Sequence, residues 1–140
     1  RSMGIDVGEK HIGVSISDPS GTISRPLCIL KHTSYQKSAT AILNLCNEYE
    51  VQHLIIGISV DEEGEVAFAG RKALRLGNAI QQLQPISVVY WDEMGTTQSA
   101  QQYRREMGIP RKQRRGHLDD LAACILLQSF LDNQAEKGEE

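Results

Sequence analysis

The spacing of apolar residues changes near residue 33, and that change narrows the fold more than any single residue does. Residues 3–7 form a short apolar run, and residues 11–17 alternate Ile12, Val14 and Ile16 with small or polar neighbours. Asp18-Pro19-Ser20-Gly21 is a turn signal, after which residues 22–30 supply a third run. Pro26 lies inside that run, and proline cannot donate to a ladder, so this strand belongs at a sheet edge. Three consecutive strands with short links make an antiparallel meander.

Beyond it the period becomes helical. Ser34 can cap a helix whose stripe is Ala39, Ile42, Leu43, Cys46 and Tyr49. A buried strand at 54–58 follows, then a helix with Val66, Ala69, Ala73, Leu76, Ile80 and Leu83 at spacings of three and four. Pro85 ends that helix and residues 86–91 form a fifth strand. Thr96 or Thr97 can cap a third helix that reaches Met107, Gly108-Ile109-Pro110 stops it, and a fourth helix runs from about His117 to Leu131. The order βββαβαβαα implies an α/β domain, a mixed five-stranded sheet flanked by helices.

At 140 residues, without internal repeat, the chain reads as one domain spanning 1–140. A net charge of -3 argues against a uniformly basic nucleic-acid binder. The charge is unevenly spread, however: Arg104, Arg105, Arg111, Lys112, Arg114 and Arg115 share one window, while acids gather at 61–65 and in the tail. Cys28, Cys46 and Cys124 sit in apolar stretches at no metal-ligand spacing, which reads as reduced, buried thiols of a cytoplasmic protein. Neither a membrane span nor a signal peptide is expected. Trp91, inside a strand, is expected in the core, and His32 and His53 show no partner.

Three separated acids carry the chemical signal. Asp6 lies near the end of the first strand between Gly4 and Gly8, Glu93 follows the fifth strand, and Asp119 opens the last helical run. Acids so placed suit a nuclease that holds divalent ions against a phosphodiester, because carboxylates are the hard oxygen ligands that Mg²⁺ or Mn²⁺ prefers. Asp92 beside Glu93 points to the opposite face of a continuing strand, and Asp120 lies about 100° from Asp119 around a helix. Both helical columns run into apolar residues, so periodicity leaves that second choice open. His117, close to the last acids, is a candidate general base or metal ligand, although a capping or surface histidine is the commoner role there.

The stretch Gly4-Ile5-Asp6-Val7-Gly8-Glu9-Lys10-His11-Ile12-Gly13, the group Trp91-Asp92-Glu93 with Thr96-Thr97, and Arg114-Arg115-Gly116-His117-Leu118-Asp119-Asp120 together resemble the YqgF family. Its members are described as Holliday junction resolvase-like nucleases of the ribonuclease H fold and as pre-16S ribosomal RNA nucleases. The resemblance covers nearly the whole chain and implies that Asp6, Glu93 and Asp119 are the catalytic, metal-binding acids. It also implies two Mg²⁺ or Mn²⁺ ions and a substrate of precursor ribosomal RNA or branched DNA. Junction resolution would require a two-fold homodimer, since two strands are cut symmetrically. Lys10 and the six cations of the 104–115 window are the candidate nucleic-acid contacts.

Two departures bear on activity. Met94 stands where the family carries an arginine beside the site, and His11 where it carries arginine or lysine. The loop after the fourth strand, from Ile58 to Gly64, also differs. Arginine offers bidentate phosphate geometry that methionine and neutral histidine lack. These losses motivate an alternative, a catalytically weak nucleic-acid-binding protein of ribosome maturation or transcription. An actin or sugar-kinase-like ATPase would open on a similar strand, but it needs a second lobe.

Overall fold

The computed structural model describes residues 1–58, 70–92 and 118–138, and of 118–120 and 137–138 the backbone alone. The expected third helix, both charged loops, Val66 and Ala69 lie outside the described residues. Strands β1 (Ser2–Val7), β2 (His11–Ser17) and β3 (Ser24–Lys31) precede helix α1 (Tyr35–Tyr49). Then come β4 (His53–Ile58), α2 (Gly70–Leu83), β5 (Ser87–Asp92) and α3 (Leu118–Gly138). The sheet order is β3-β2-β1-β4-β5, with β1–β2 and β2–β3 antiparallel and β1–β4 and β4–β5 parallel. The meander and the mixed five-stranded sheet are as expected, and β1 is central.

Strand alternation divides the sheet into two unlike faces. Met3, Ile5, Ile12, Val14, Ile16, Leu54 and Ile56 pack with Ala39, Ile42, Cys46, Ala73, Leu76 and Ile80 under α1 and α2. The opposite face of β1 and β2 carries Gly4, Asp6, Gly13, Ser15 and Ser17. Alternation alone does not say what covers those small residues, and Ser15 and Ser17 are fully buried. The cover is α3, which packs on β1, β2 and β3. On that side Ile55, Leu127 and Leu131 form a second cluster with Val89, Trp91 and Phe130.

Pro26 is on an edge strand, as its missing N–H requires, and the ladder slips beside it: Val14 pairs with Cys28 while Ser15 pairs with Pro26. The Ser34 hydroxyl accepts from the Lys37 N–H and caps α1. Glu50 ends that helix with a left-handed backbone at φ 57°. Two expectations need correction. Leu83 is 52% exposed, because the apolar stripe of α2 outruns the sheet in its last turn. The last helix continues past Leu131 to Gly138, about 30 Å in all.

The β2–β3 turn is held by Asp18. Its carboxylate accepts from the Ser20 hydroxyl at 2.6 Å and from the Thr22 and Ile23 N–H groups at 2.8 and 3.1 Å, while Gly21 supplies φ 73°. The Ser20 hydroxyl first, then the Ile23 and Thr22 amides, hold the carboxyl pKa down from 3.8 to about 2. A depressed folded-state pKa adds stability that is complete above the unfolded value and is lost as pH falls through the folded one. Thermal melts should therefore show wild type above Asp18→Asn by a constant margin over pH 5, and the margin closing toward pH 2. A margin independent of pH would refute the ionic origin.

Candidate active site

Asp6 is half-buried in the last turn of side-chain alternation on β1, at the strand's carboxyl end. Its parity places it with Gly4 on the α3 side. Its cross-strand partner on β2 is Gly13, which presents no side chain beside the carboxylate. One step past the last β1–β4 pair, Ile5 with Ile56, β4 carries Gly57. The acid thus sits between two strands with glycine nearest it on each side. The ladder to β2 holds Asp6, one residue beyond the end of the β1–β4 ladder.

The approach of α3 to this strand is close and depends on two small residues. The Ser15 hydroxyl donates to the Ala123 carbonyl at 2.7 Å and lies 3.4 Å from the Gly4 carbonyl. A Cβ on Gly4 would run into the Ser15 hydroxyl and come within 2.8 Å of both the Ala123 carbonyl oxygen and the Leu127 Cβ. Farther along, the Gln128 side chain accepts from the Ser24 N–H at 2.8 Å and donates to the Thr22 carbonyl at 3.0 Å. Trp91 Nε1 donates to the Ser129 hydroxyl at 3.2 Å, and its ring meets Phe130 edge-on with centroids 5.4 Å apart. The core role expected for Trp91 holds, though the ring is only half-buried. Sequence reasoning missed Gly4 and Ser15, whose partners lie more than a hundred residues away.

Of the nominated acids, Asp6 is described fully. Asp119 is the second residue of α3, within its first turn as expected, with its side chain outside the described residues. Glu93 lies outside them too. Asp92 is exposed at the end of β5 and shares the parity of Val88 and Tyr90, which pack toward α1 and α2. Val89 and Trp91, whose parity Glu93 shares in sequence, pack toward α3. Lys10 is exposed, four residues beyond Asp6. Arg104, Arg105, Arg111, Lys112, Arg114, Arg115, Met94 and His117 are all outside the described residues.

Of the three thiols expected to be buried, Cys46 is, and burial pushes its thiol pKa up to about 11, whereas Cys28 and Cys124 are only half-buried. His32, which shows no partner in the sequence, has its Nδ1 2.7 Å from the Ser38 hydroxyl and meets the Tyr35 ring edge-on. Among the described residues, no helix is long and apolar enough to cross a membrane.

A model of the family described as "RuvX: Holliday junction resolvase" matches residues 1–133. A relative from Thermoanaerobacter pseudethanolicus, named provisionally as a pre-16S rRNA nuclease, is 40% identical over 138 residues, covering 98% of this chain and 99% of that one. Another of the same name from Caldanaerobacter subterraneus subsp. tengcongensis is 36% identical over 135 residues, covering 96% and 97%. Among solved structures, Thermus thermophilus RuvC in complex with a Holliday junction substrate matches with TM-score 0.57 and 19% identity, over 96% of this chain and 95% of that one. The fowlpox virus resolvase with its junction DNA gives TM-score 0.56 and 13% identity, over 95% and 97%. These two likenesses establish the ribonuclease H-like fold. The motif resemblance is borne out by the family match and by the relatives' identity over nearly full length: the chain belongs to the RuvX family, the YqgF-type Holliday junction resolvase-like proteins.

Proposed function

We propose that this chain is a divalent-metal-dependent endonuclease of structured nucleic acid, acting in the cytoplasm on the 5′ end of precursor 16S ribosomal RNA. The observation that carries the reading is the placement of Asp6. It is a half-buried carboxylate at the end of the central strand, on the face where α3 begins, with glycines on the neighbouring strands. A hard, acceptor-only carboxylate suits Mg²⁺ or Mn²⁺. Asp6, Glu93 and Asp119 would hold two ions. Bound there, the ions would offset negative charge that builds on the attacking and leaving oxygens. Asp119 stands in the first turn of α3, where the helix amino terminus favours negative charge. Arg104, Arg105, Arg111, Lys112, Arg114 and Arg115, with Lys10, would hold backbone phosphates.

The relatives' names favour the RNA substrate, and the family description keeps branched DNA as the second. One experiment separates these and the binding-protein alternative that Met94 motivates. Purified protein is given a 5′-extended 16S precursor RNA and a four-way DNA junction, each with Mg²⁺, with Mn²⁺ and with EDTA. Metal-dependent cleavage of the RNA is expected. Symmetric cutting of the junction by a sedimenting dimer would move the assignment to resolution. Salt-sensitive binding without cleavage of either would overturn the nuclease reading.

A further inference from the structure

The face of the sheet that holds Asp6 continues past it across β2 and β3. Asp6 pairs with Gly13 and Gly13 with Ile29, so these three positions form one row. The next row outward is His11 paired with Lys31. Alternation puts both rows on the α3 side, because Ile12 and Leu30, which lie between them, pack with the core under α1 and α2. Cys28, on the inner side of Ile29, packs there too. His11 and Lys31 are exposed and Ile29 is 36% exposed, so α3 leaves this end of β2 and β3 uncovered. With ordinary strand spacing and rise, the Cα atoms of His11 and Lys31 lie about 8 Å and about 12 Å from that of Asp6.

A lysine on an edge strand can serve only to discourage pairing with another sheet. That role needs charge on β3, but it is indifferent to the face the charge takes and to what stands beside it. Here the cation shares the face of Asp6, sits opposite a histidine whose ring N–H can donate, and adjoins an exposed isoleucine. Among the described residues, the Lys31 ammonium has no ion-pair partner. A cation, a ring donor and an aliphatic surface together match a sugar–phosphate backbone, which lysine binds as a point charge without demanding a base sequence. The geometry points to Lys31, His11 and Ile29 as a backbone-binding subsite for the RNA strand on the β2–β3 side of Asp6. Lys31 and His11 hold phosphate there, and Ile29 packs on the sugar. The subsite rests on the nucleic-acid reading of the Asp6 site and fixes one direction in which the substrate leaves it.

Equilibrium binding in EDTA, where cleavage plays no part, reads the subsite directly. The probes are an RNA stem-loop with a single-stranded 5′ flank and a four-way DNA junction, each titrated from low to high salt. On the RNA, Lys31→Ala should reduce the slope of log affinity against log salt by about 0.7 to about 0.9, with binding about fivefold weaker at about 0.1 M salt. Lys31→Arg should keep the slope, and His11→Arg, which adds a cation to the same row, should steepen it by a like amount. Lys72→Ala removes the same charge from α2, which packs on the opposite face, and should leave the slope unchanged. A lysine that only guards the edge strand would show its loss in solubility, and the salt slope would not move. An unchanged slope in Lys31→Ala, an equal fall in Lys72→Ala or a slope that fails to steepen in His11→Arg would overturn the subsite, as would a loss confined to the junction. Cleavage by wild type with an unchanged Lys31→Ala slope refutes the subsite and leaves the nuclease reading intact. A slope that depends on Lys31, without any cleavage, does the reverse.

Discussion

Gly4→Ala should lower the melting temperature by roughly 6–12 °C, the equivalent of about 2–3 kcal/mol, and Gly4→Val should leave little folded protein. The cost comes from where the new Cβ must go. It would meet the Ser15 hydroxyl, the Ala123 carbonyl oxygen and the Leu127 Cβ, and the last two belong to α3 close to its axis. Neither can rotate away as the tip of a long side chain would, so the helix itself has to lift. Lifting it stretches the Ser15–Ala123 hydrogen bond and opens the Ile55, Leu127 and Leu131 cluster. Gly4→Ala/Ser15→Gly removes one of the three collisions and should recover only part of the loss. An alanine variant as stable as wild type would mean that α3 does not approach β1 this closely. Because α3 also carries Asp119, activity at temperatures where Gly4→Ala is still folded should fall further than its stability does.

This contact also marks where the sequence stops being legible. Turn chemistry at Asp18, the edge position of Pro26 and the Ser34 cap all follow from local rules, since each depends on neighbours a few residues away. Gly4, by contrast, looks in the sequence like a glycine flanking an acid. Its reason is a helix some 120 residues on, and no pattern near residue 4 signals it. Likewise Ser15 and Ser17 show in the sequence only as small or polar neighbours of an alternating strand, whereas in the structure their small size admits α3. The length of α3 is hidden because residues 132–138 carry no large apolar side chain that would extend the stripe past Leu131. Asp6 and Asp119 stand at a strand end and a helix start, which are local features.

Asp6→Asn should reduce metal-dependent cleavage at least about 100-fold, a loss of about 2.7 kcal/mol of transition-state stabilisation, while Asp92→Asn retains most of it. Asparagine keeps the volume and one carbonyl-type acceptor but removes the charge that a hard divalent ion needs, so the fold should survive and the melt should stay cooperative. The contrast between the two positions follows from parity. Asp6 belongs with Gly4, on the side where α3 begins, and Asp92 with Val88 and Tyr90, whose packing is toward α1 and α2. Two carboxylates near the carboxyl ends of strands in one sheet are thus set on opposite faces by one step of alternation. Glu93, one residue on, should then behave like Asp6, and Glu93→Gln should lose cleavage comparably. Equal losses for Asp92→Asn and Asp6→Asn would put the reacting centre across both faces, which a sheet between them does not allow. In that event the assignment of Glu93 must be abandoned. The informative measurement is therefore the ratio of the two variants' rates at saturating Mn²⁺, taken on the same RNA. A ratio near one defeats the three-acid arrangement even if both enzymes are slow, because a general loss of folding would appear in the melts first.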